Sequence, residues 1–259
     1  MNDAVSPLQN EYWRTNMSSV LRLYLVTDQG CLRGRPLADV VLAAVQGGVT
    51  CVQLREKHLS THDFVALACA MKSLLTPFCV PLVINDCIDV ALACGAQGVH
   101  LGQSDMSVDD ARRWLPPHVF VGLSVQTIHD VERSAHQAVD YLGVSPIYPT
   151  PTKTDTLTAW GLAGLRQVRT MTRLPLVAIG GIHPGNAQQV LDAGAEGLAV
   201  VSALCSAHNP CAAAQSFTTI QNVQESLERK TKSVQCPTLH HDHPADYSTP
   251  RSTGYRHAV

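Results

Sequence analysis

The sequence lacks long hydrophobic runs, an excess of charge of either sign and closely spaced cysteine pairs. No apolar run reaches the roughly 18 residues of a membrane-spanning helix, and no basic region followed by an apolar one marks a signal peptide. With 19 Lys and Arg against 21 Asp and Glu, there is no basic stripe for nucleic acid. Nine cysteines without a CxxC pair predict reduced core thiols rather than a zinc ribbon. We therefore expect a cytoplasmic protein whose partners are small molecules, not nucleic acid or membrane.

Short apolar runs alternate along the chain with longer segments of helical periodicity. The short runs are rich in Val, Ile and Leu and almost continuously apolar, which is typical of parallel strands covered by helices. Eight strands are predicted, at 21–28, 51–56, 81–86, 98–103, 120–125, 141–148, 175–181 and 197–202. Helices are predicted between and after them, at 37–46, 62–76, 90–94, 108–115, 128–138, 162–171, 186–193 and 209–228.

Eight strand–helix units within about 190 residues favour a (β/α)8 TIM barrel, an α/β fold in a single domain. The alternative is a doubly wound sheet, which predicts an open edge and usually fewer strands. The predicted organisation is an N-terminal extension at 1–20, the barrel at 21–228 and a disordered tail at 229–259. The tail carries the cluster His240, His241, Asp242 and His243, which we interpret as solvated.

The second predicted strand ends with the sequence QLREK. Because side chains alternate along a strand, Gln53, Arg55 and Lys57 face one way. In parallel α/β proteins the active site forms at the carboxyl ends of the strands. Two cations at such a position indicate an anionic ligand, although a solvated loop remains the alternative.

The next two strands lead to Asn85-Asp86 and to Asp105. Each aspartate could be the N-cap of the helix that follows it. Together with Arg55 and Lys57, however, the two carboxylates match a Mg²⁺–diphosphate site, because Mg²⁺ takes one or two protein carboxylates, waters and phosphate oxygens.

The four later strand ends add polar residues and glycine-rich loops. Ser124 ends the fifth strand, and the sixth leads into a loop stiffened by Pro149 and Pro151. That loop offers Thr150, Thr152 and Lys153 to an anion or a polar heterocycle. After the seventh strand, Gly180 and Gly181 allow close approach of a phosphate to the backbone, near the end of the eighth strand at Val201 and Ser202. The strand ends therefore predict one diphosphate site with a metal and one monophosphate site.

These residues resemble the thiamine-phosphate synthase family. The resemblance covers roughly residues 21–210 and rests on QLREK, IND with DVALACGAQGVHLGQSD, GLSV, PIYPTPTK, AIGGI and VVSAL, in this order. It implies a TIM barrel that joins hydroxymethylpyrimidine diphosphate to hydroxyethylthiazole phosphate, with Mg²⁺ as cofactor. Diphosphate leaves first in this scheme, so catalysis depends on positioning and on neutralising the leaving group.

The resemblance also implies roles for individual residues. It assigns Asp86 and Asp105 to the metal, and Arg55, Lys57, Ser124 and Lys153 to catalysis. The residues implied in substrate binding are Gln53, Leu54, Arg55, Glu56, Lys57, Asn85, Ser124, Thr150, Pro151, Thr152, Lys153, Gly181, Val201 and Ser202.

Three other functions are compatible with the same pattern. A thiazole tautomerase with the same barrel would be expected to lack the metal acids and the Arg–Lys pair. A non-catalytic thiazole-phosphate or thiamine-phosphate sensor would need the glycine-rich site alone. An unrelated phosphate-binding barrel, such as a sugar-phosphate epimerase, would leave the loop at Thr150–Lys153 unexplained.

Overall fold

The structure is a computed structural model that describes residue 13, residues 15–150 and residues 158–234, with side chains described as far as residue 222. Its centre is a closed barrel of eight parallel strands in sequence order, in which the eighth strand pairs with the first. The strands are β1 Leu23–Val26, β2 Cys51–Leu54, β3 Leu82–Asn85, β4 Gly98–Leu101, β5 Phe120–Val125, β6 Tyr141–Val144, β7 Leu176–Ile179 and β8 Gly197–Val200. The predicted TIM barrel is confirmed, and closure excludes the doubly wound sheet.

Helices precede, connect and follow these strands. They are α1 Met17–Val20, α2 Leu37–Gln46, α3 Thr61–Leu75, α4 Ile88–Cys94, α5 Val108–Trp114, α6 Ile128–Ser134, α7 Gly161–Met171, α8 Pro184–Asp192, α9 Ser202–Cys205 and α10 Pro210–Val234. Short 3-10 turns lie at Gln29–Cys31 and Thr76–Phe78. No helix in these described parts of the chain is long and apolar enough to cross a membrane.

Alternation along each strand divides the core into two parts. On β1, Leu23 and Leu25 belong to the large cluster between the strands and the surrounding helices. Tyr24 and Val26 belong to a second cluster, inside the barrel. Trp13 and two residues of α1, Met17 and Val20, pack into this inner cluster, so the end of the predicted N-terminal extension is part of the core.

Some predicted boundaries differ from the structure. Helix α6 ends at Ser134, four residues before its predicted end, because the next residues form tighter i to i−3 turns. Helix α10 is described as far as Val234, beyond the predicted end at Glu228, because the sequence has no proline or glycine between Pro210 and Pro237 to interrupt it.

The chain divides into two compact units, Met1–Gln224 and Glu225–Val259. The first contains the barrel. Of the second, the structure describes only 225–234, as helix. The histidine cluster and most of the predicted disordered tail lie outside the described residues.

Candidate active site

A cavity of about 570 Å³ opens at the carboxyl ends of the strands. Residues from all eight strands line it, and the loops that follow the strands form its rim. Its size is typical of sites for small molecules. The predicted location of the site, at the strand ends, therefore coincides with a cavity.

The QLREK segment divides as its alternation predicts. Gln53, Arg55 and Lys57 line the cavity. Leu54 is fully buried in the core between strands and helices, and Glu56 does not line the cavity but accepts a hydrogen bond from Gln29. Leu54 and Glu56, which the resemblance included in substrate binding, are therefore placed away from the cavity, because their side chains face the opposite side of the segment.

Both cations of this segment already have carboxylate partners. Arg55 Nη1 lies 3.6 Å from Asp28 Oδ2, and Lys57 Nζ lies 2.7 Å from Asp86 Oδ2. Asp28, which also lines the cavity, was not predicted to belong to the site. The two cations and the two carboxylates of the predicted site thus line one cavity together with Asp28.

Neither Asp86 nor Asp105 caps a helix. The N-cap of α4 is Cys87, without a side-chain cap bond, and the N-cap of α5 is Ser107, whose hydroxyl accepts from the amide of Asp110. Asp86 has a φ of 63°, in the left-handed region that aspartate and asparagine tolerate better than most residues. Asp105 accepts from the amide of Gly102 at 2.7 Å. The capping interpretation of both acids is therefore wrong.

The two carboxylates are close enough to change each other's pKa values. Burial raises the pKa of Asp105, and the neighbouring carboxylate of Asp86 raises it further. Burial also acts to raise the pKa of Asp86, but the hydrogen bond from Lys57 and that with Asp105 outweigh it, so the pKa of Asp86 is lowered. A like-charged pair held together in this way costs free energy, which a bound cation would offset.

The glycine-rich loop lies on the opposite side of the cavity. Gly180 and Gly181 line it with φ values of 104° and 66°, a region in which other side chains are strained. Val201 and Ser202, after β8, line the same cavity, while His183 is the N-cap of α8 and accepts from the amide of Gly185. The structure thus brings the predicted monophosphate residues together.

The remaining predicted residues lie in two groups. Asn85, Ser124 and Thr150 line the cavity. Pro151, Thr152 and Lys153 lie outside the described residues.

The floor of the cavity contains a hydrogen-bonded set that the sequence analysis missed. Tyr24, His100 and Tyr141 line the cavity and connect Gln53 with Ser124 through side-chain hydrogen bonds. The available signal was the position of polar or aromatic residues at inward-facing strand positions, next to glycines that leave room for them.

Comparison with known proteins assigns the family. The family model described as thiamine monophosphate synthase matches residues 23–204. The chain belongs to this family. The thiamine-phosphate synthase of Albidiferax ferrireducens is 74% identical over 194 residues, which cover 75% of this chain and 89% of that protein. That of Leptospira biflexa is 48% identical over 192 residues, covering 73% and 91%.

A solved structure agrees with this assignment. The thiamine phosphate pyrophosphorylase of Pyrococcus furiosus superposes with a TM-score of 0.74 at 32% identity, over 82% of this chain and 100% of that one. The prediction of a thiamine-phosphate synthase, a transferase with a TIM barrel, is confirmed by family membership.

Proposed function

We propose that this chain joins hydroxymethylpyrimidine diphosphate to hydroxyethylthiazole phosphate, releasing diphosphate, with Mg²⁺ held by Asp86 and Asp105. The observation that carries the proposal is the carboxylate pair beside Lys57 in a cavity whose other side is glycine-rich. Since neither acid caps a helix, their proximity is better explained by a shared ligand than by folding.

The charge balance of the cavity supports a metal. Among the described residues, its charged lining consists of two cations, Arg55 and Lys57, and three carboxylates, Asp28, Asp86 and Asp105. When all are ionised they carry a net negative charge, which disfavours a diphosphate bound alone. A divalent cation reverses that sign, so metal and diphosphate are expected to bind together.

The donor set fits Mg²⁺. No group of three or more His, Cys, Asp or Glu side chains suited to a metal occurs in the described part of the chain, and Mg²⁺ does not require one. One or two carboxylates suffice when waters and phosphate oxygens complete the octahedron. When bound, the ion would neutralise charge on the departing diphosphate.

The side chains of this chain would supply the rest of the stabilisation. Arg55 and Lys57 donate to the diphosphate oxygens as the bond between the methylene carbon and oxygen breaks and its electron pair leaves with oxygen. Lys153 is proposed to contribute a third cation. The thiazole nitrogen then forms the new carbon–nitrogen bond with its lone pair. It loses no proton in this step, so no general base is required.

The second substrate is assigned to the glycine-rich side. We propose that its phosphate accepts from the backbone at Gly181, Val201 and Ser202, and from Thr150 and Thr152. Gln53, Asn85 and Ser124 would hold the pyrimidine. This places the two reacting groups in one cavity, where positioning accelerates their reaction. The eight cysteines that the structure describes are thiols rather than disulfides, which supports a reducing, cytoplasmic setting.

A turnover assay tests the proposal. Purified full-length protein is expected to release diphosphate only when both substrates and Mg²⁺ are present. Asp86→Asn should abolish that release, whereas Asp109→Asn, on the exposed side of α5, should leave it unchanged. A folded protein with no turnover would overturn the proposal. Binding of thiazole phosphate without turnover would instead indicate a sensor, and isomerisation of the thiazole alone would indicate a tautomerase.

A further inference from the structure

A continuous chain of hydrogen bonds crosses the floor of the cavity. Gln53 Nε2 donates to the Tyr24 hydroxyl at 2.9 Å, and that hydroxyl lies 3.0 Å from the hydroxyl of Tyr141. The Tyr141 hydroxyl lies 2.9 Å from His100 Nδ1, and His100 Nε2 lies 2.8 Å from Ser124 Oγ. The five side chains come from five different strands, so only the closed barrel brings them together.

Two glycines leave the space that these hydrogen-bonded side chains occupy. Gly122 lies between His100 and Tyr141 in the register of β4, β5 and β6, and a Cβ atom there would lie 2.1 Å from Tyr141 Cζ. A Cβ atom at Gly143 would lie 2.9 Å from His100 Cε1. His100 and Tyr141 therefore meet across β5 only because these positions carry no side chain.

Both tyrosines keep their protons. Tyr24 is 1% exposed and Tyr141 is 0% exposed, and burial raises the pKa of each phenol well above its usual range. Each hydroxyl therefore supplies one donor and must find one acceptor. Leaving a buried hydroxyl without a partner is costly, so the pattern of donors along the chain is constrained.

The direction of this hydrogen-bonded network is set by the orientation of the Gln53 amide. With its nitrogen against the Tyr24 hydroxyl, as in this structure, Gln53 donates the first bond, so the Tyr24 proton is directed to Tyr141 and the Tyr141 proton to His100 Nδ1. His100 then carries its proton on Nε2 and donates it to Ser124 Oγ. The alternative acceptor for the hydroxyl proton of Tyr24 is the thiol of Cys51, which is a weak acceptor.

The hydrogen-bonding roles of Gln53 and Ser124, at the two ends of this network, are consequently linked. With this direction, Gln53 has its carbonyl oxygen available as an acceptor and Ser124 has its hydroxyl proton available as a donor. Turning the Gln53 amide round would reverse every bond, giving a donor at Gln53 and an acceptor at Ser124. A ligand on this floor is therefore selected by two linked polar groups rather than by two independent ones.

We propose that Tyr24, Tyr141 and His100 are positioning residues that fix Gln53 as an acceptor and Ser124 as a donor, so that the floor selects the amino form of an amino-substituted nitrogen heterocycle. Such a ring offers its exocyclic amino group as a donor and a ring nitrogen as an acceptor. The oxo analogue, with a carbonyl and a ring N–H, offers the opposite pattern. The selectivity for the amino form rests on the proposed function, because it assumes the pyrimidine substrate. The direction of the hydrogen bonds does not depend on that function.

The tautomer of His100 is the direct test. Nitrogen NMR on full-length protein labelled at histidine, at a pH above the ordinary pKa of the imidazole, distinguishes the two ring nitrogens. The chain has 12 histidines, so the His100 signal is identified by its loss in His100→Gln, with the exposed His136→Gln as the matched control. We expect a fixed tautomer with the proton on Nε2. A proton on Nδ1, on both nitrogens, or exchanging freely between them would overturn the proposal.

Removal of one hydroxyl extends the test to the ligand. Tyr141→Phe should let the His100 imidazole exchange between its two neutral tautomers. It should raise the KM for the pyrimidine diphosphate about tenfold, with kcat and the KM for the thiazole phosphate almost unchanged. Thermal unfolding verifies that the variant is folded, and wild-type NMR remains decisive if it is not. An unchanged tautomer in folded Tyr141→Phe would contradict the proposal. The expected tautomer in a protein without turnover would refute only the proposed function.

Discussion

Replacement of Asp105 by asparagine is predicted to stabilise the metal-free protein and to abolish its Mg²⁺-dependent activity. The asparagine carbonyl oxygen can still accept from the amide of Gly102, so the loop keeps its hydrogen bond. The negative charge that raises the free energy of the pair with Asp86 is removed. A gain in stability with a loss of activity is the result expected when two carboxylates are held together for a ligand.

The magnitude follows from two opposing considerations. Two like charges about 4 Å apart cost about 1 kcal/mol in water and roughly 4 kcal/mol at the effective dielectric of a protein surface. The side chain of Asp86 is 24% exposed and has Lys57 as a partner, so screening favours the lower figure. A gain of about 1 kcal/mol corresponds to a rise in Tm of about 2 to 4 °C for a domain of this size.

The pH dependence gives a second readout. Because the pKa of Asp105 is raised in the folded protein, the folded state binds more protons than the unfolded state between the ordinary and the raised value. The free energy of unfolding therefore falls as pH rises through that window, and Asp105→Asn should remove the fall. The lowered pKa of Asp86 acts below its ordinary value, where stability is lost as pH falls, so the two windows are separate.

Thermal unfolding in the presence of a chelator measures the stability, and diphosphate release with both substrates measures the activity. Asp109→Asn removes an exposed aspartate from α5 and controls for the change in net charge. A variant that is less stable than the wild type without metal, or that keeps full Mg²⁺-dependent turnover, would refute the reasoning.

Three further predictions separate site residues from core residues. Lys57→Gln should lower kcat for diphosphate release about 100-fold, because it removes one donor to the leaving group. Its free energy of unfolding should change by less than about 1 kcal/mol, since the ion pair is half-exposed. Gly181→Ala should cost more than the about 1 to 2 kcal/mol of left-handed backbone strain, because its added Cβ would lie 2.7 Å from Tyr148 Cβ, and it should raise the KM for thiazole phosphate. Gly34→Ala, at a φ of 77° with no atom within 4 Å of the added Cβ, should cost the backbone strain alone. Leu54→Ala should cost about 2 to 5 kcal/mol of unfolding free energy without changing either KM, and an altered KM would contradict its outward placement.

The barrel was predictable because its signal is periodic and local. Strand β5 and helix α2 match their predicted ranges, since apolar runs and helical spacing mark them directly. The ends of helices and strands were less predictable, because the contacts that set them do not recur at regular spacing in the sequence. Helix α4, for example, begins at Ile88, two residues before its predicted start, and its N-cap Cys87 makes no side-chain capping bond, so no capping residue marks this start in the sequence.

The cavity rim was predicted from position alone, since the end of each parallel strand faces the same edge of the barrel. What position could not supply was which residues pair with which. Asp28 lies 27 residues before Arg55, and only the packing of the loop after β1 against that after β2 makes them an ion pair. The net charge of the cavity depends on Asp28 lining it, which no local pattern in the sequence predicts.

The floor shows why a polar residue inside a barrel is difficult to interpret from sequence. His100 and Ser124 are 24 residues apart, and His100 and Tyr141 are 41 apart. A histidine within an apolar strand is compatible with a satisfied core residue or with a ligand contact, and its neighbours in sequence do not decide between them. The decisive feature is Gly122, because its missing side chain lets β4 and β6 exchange a hydrogen bond across β5. Glycine in an inward-facing strand position, flanked on both neighbouring strands by large polar side chains, is therefore the pattern from which such a network can be predicted.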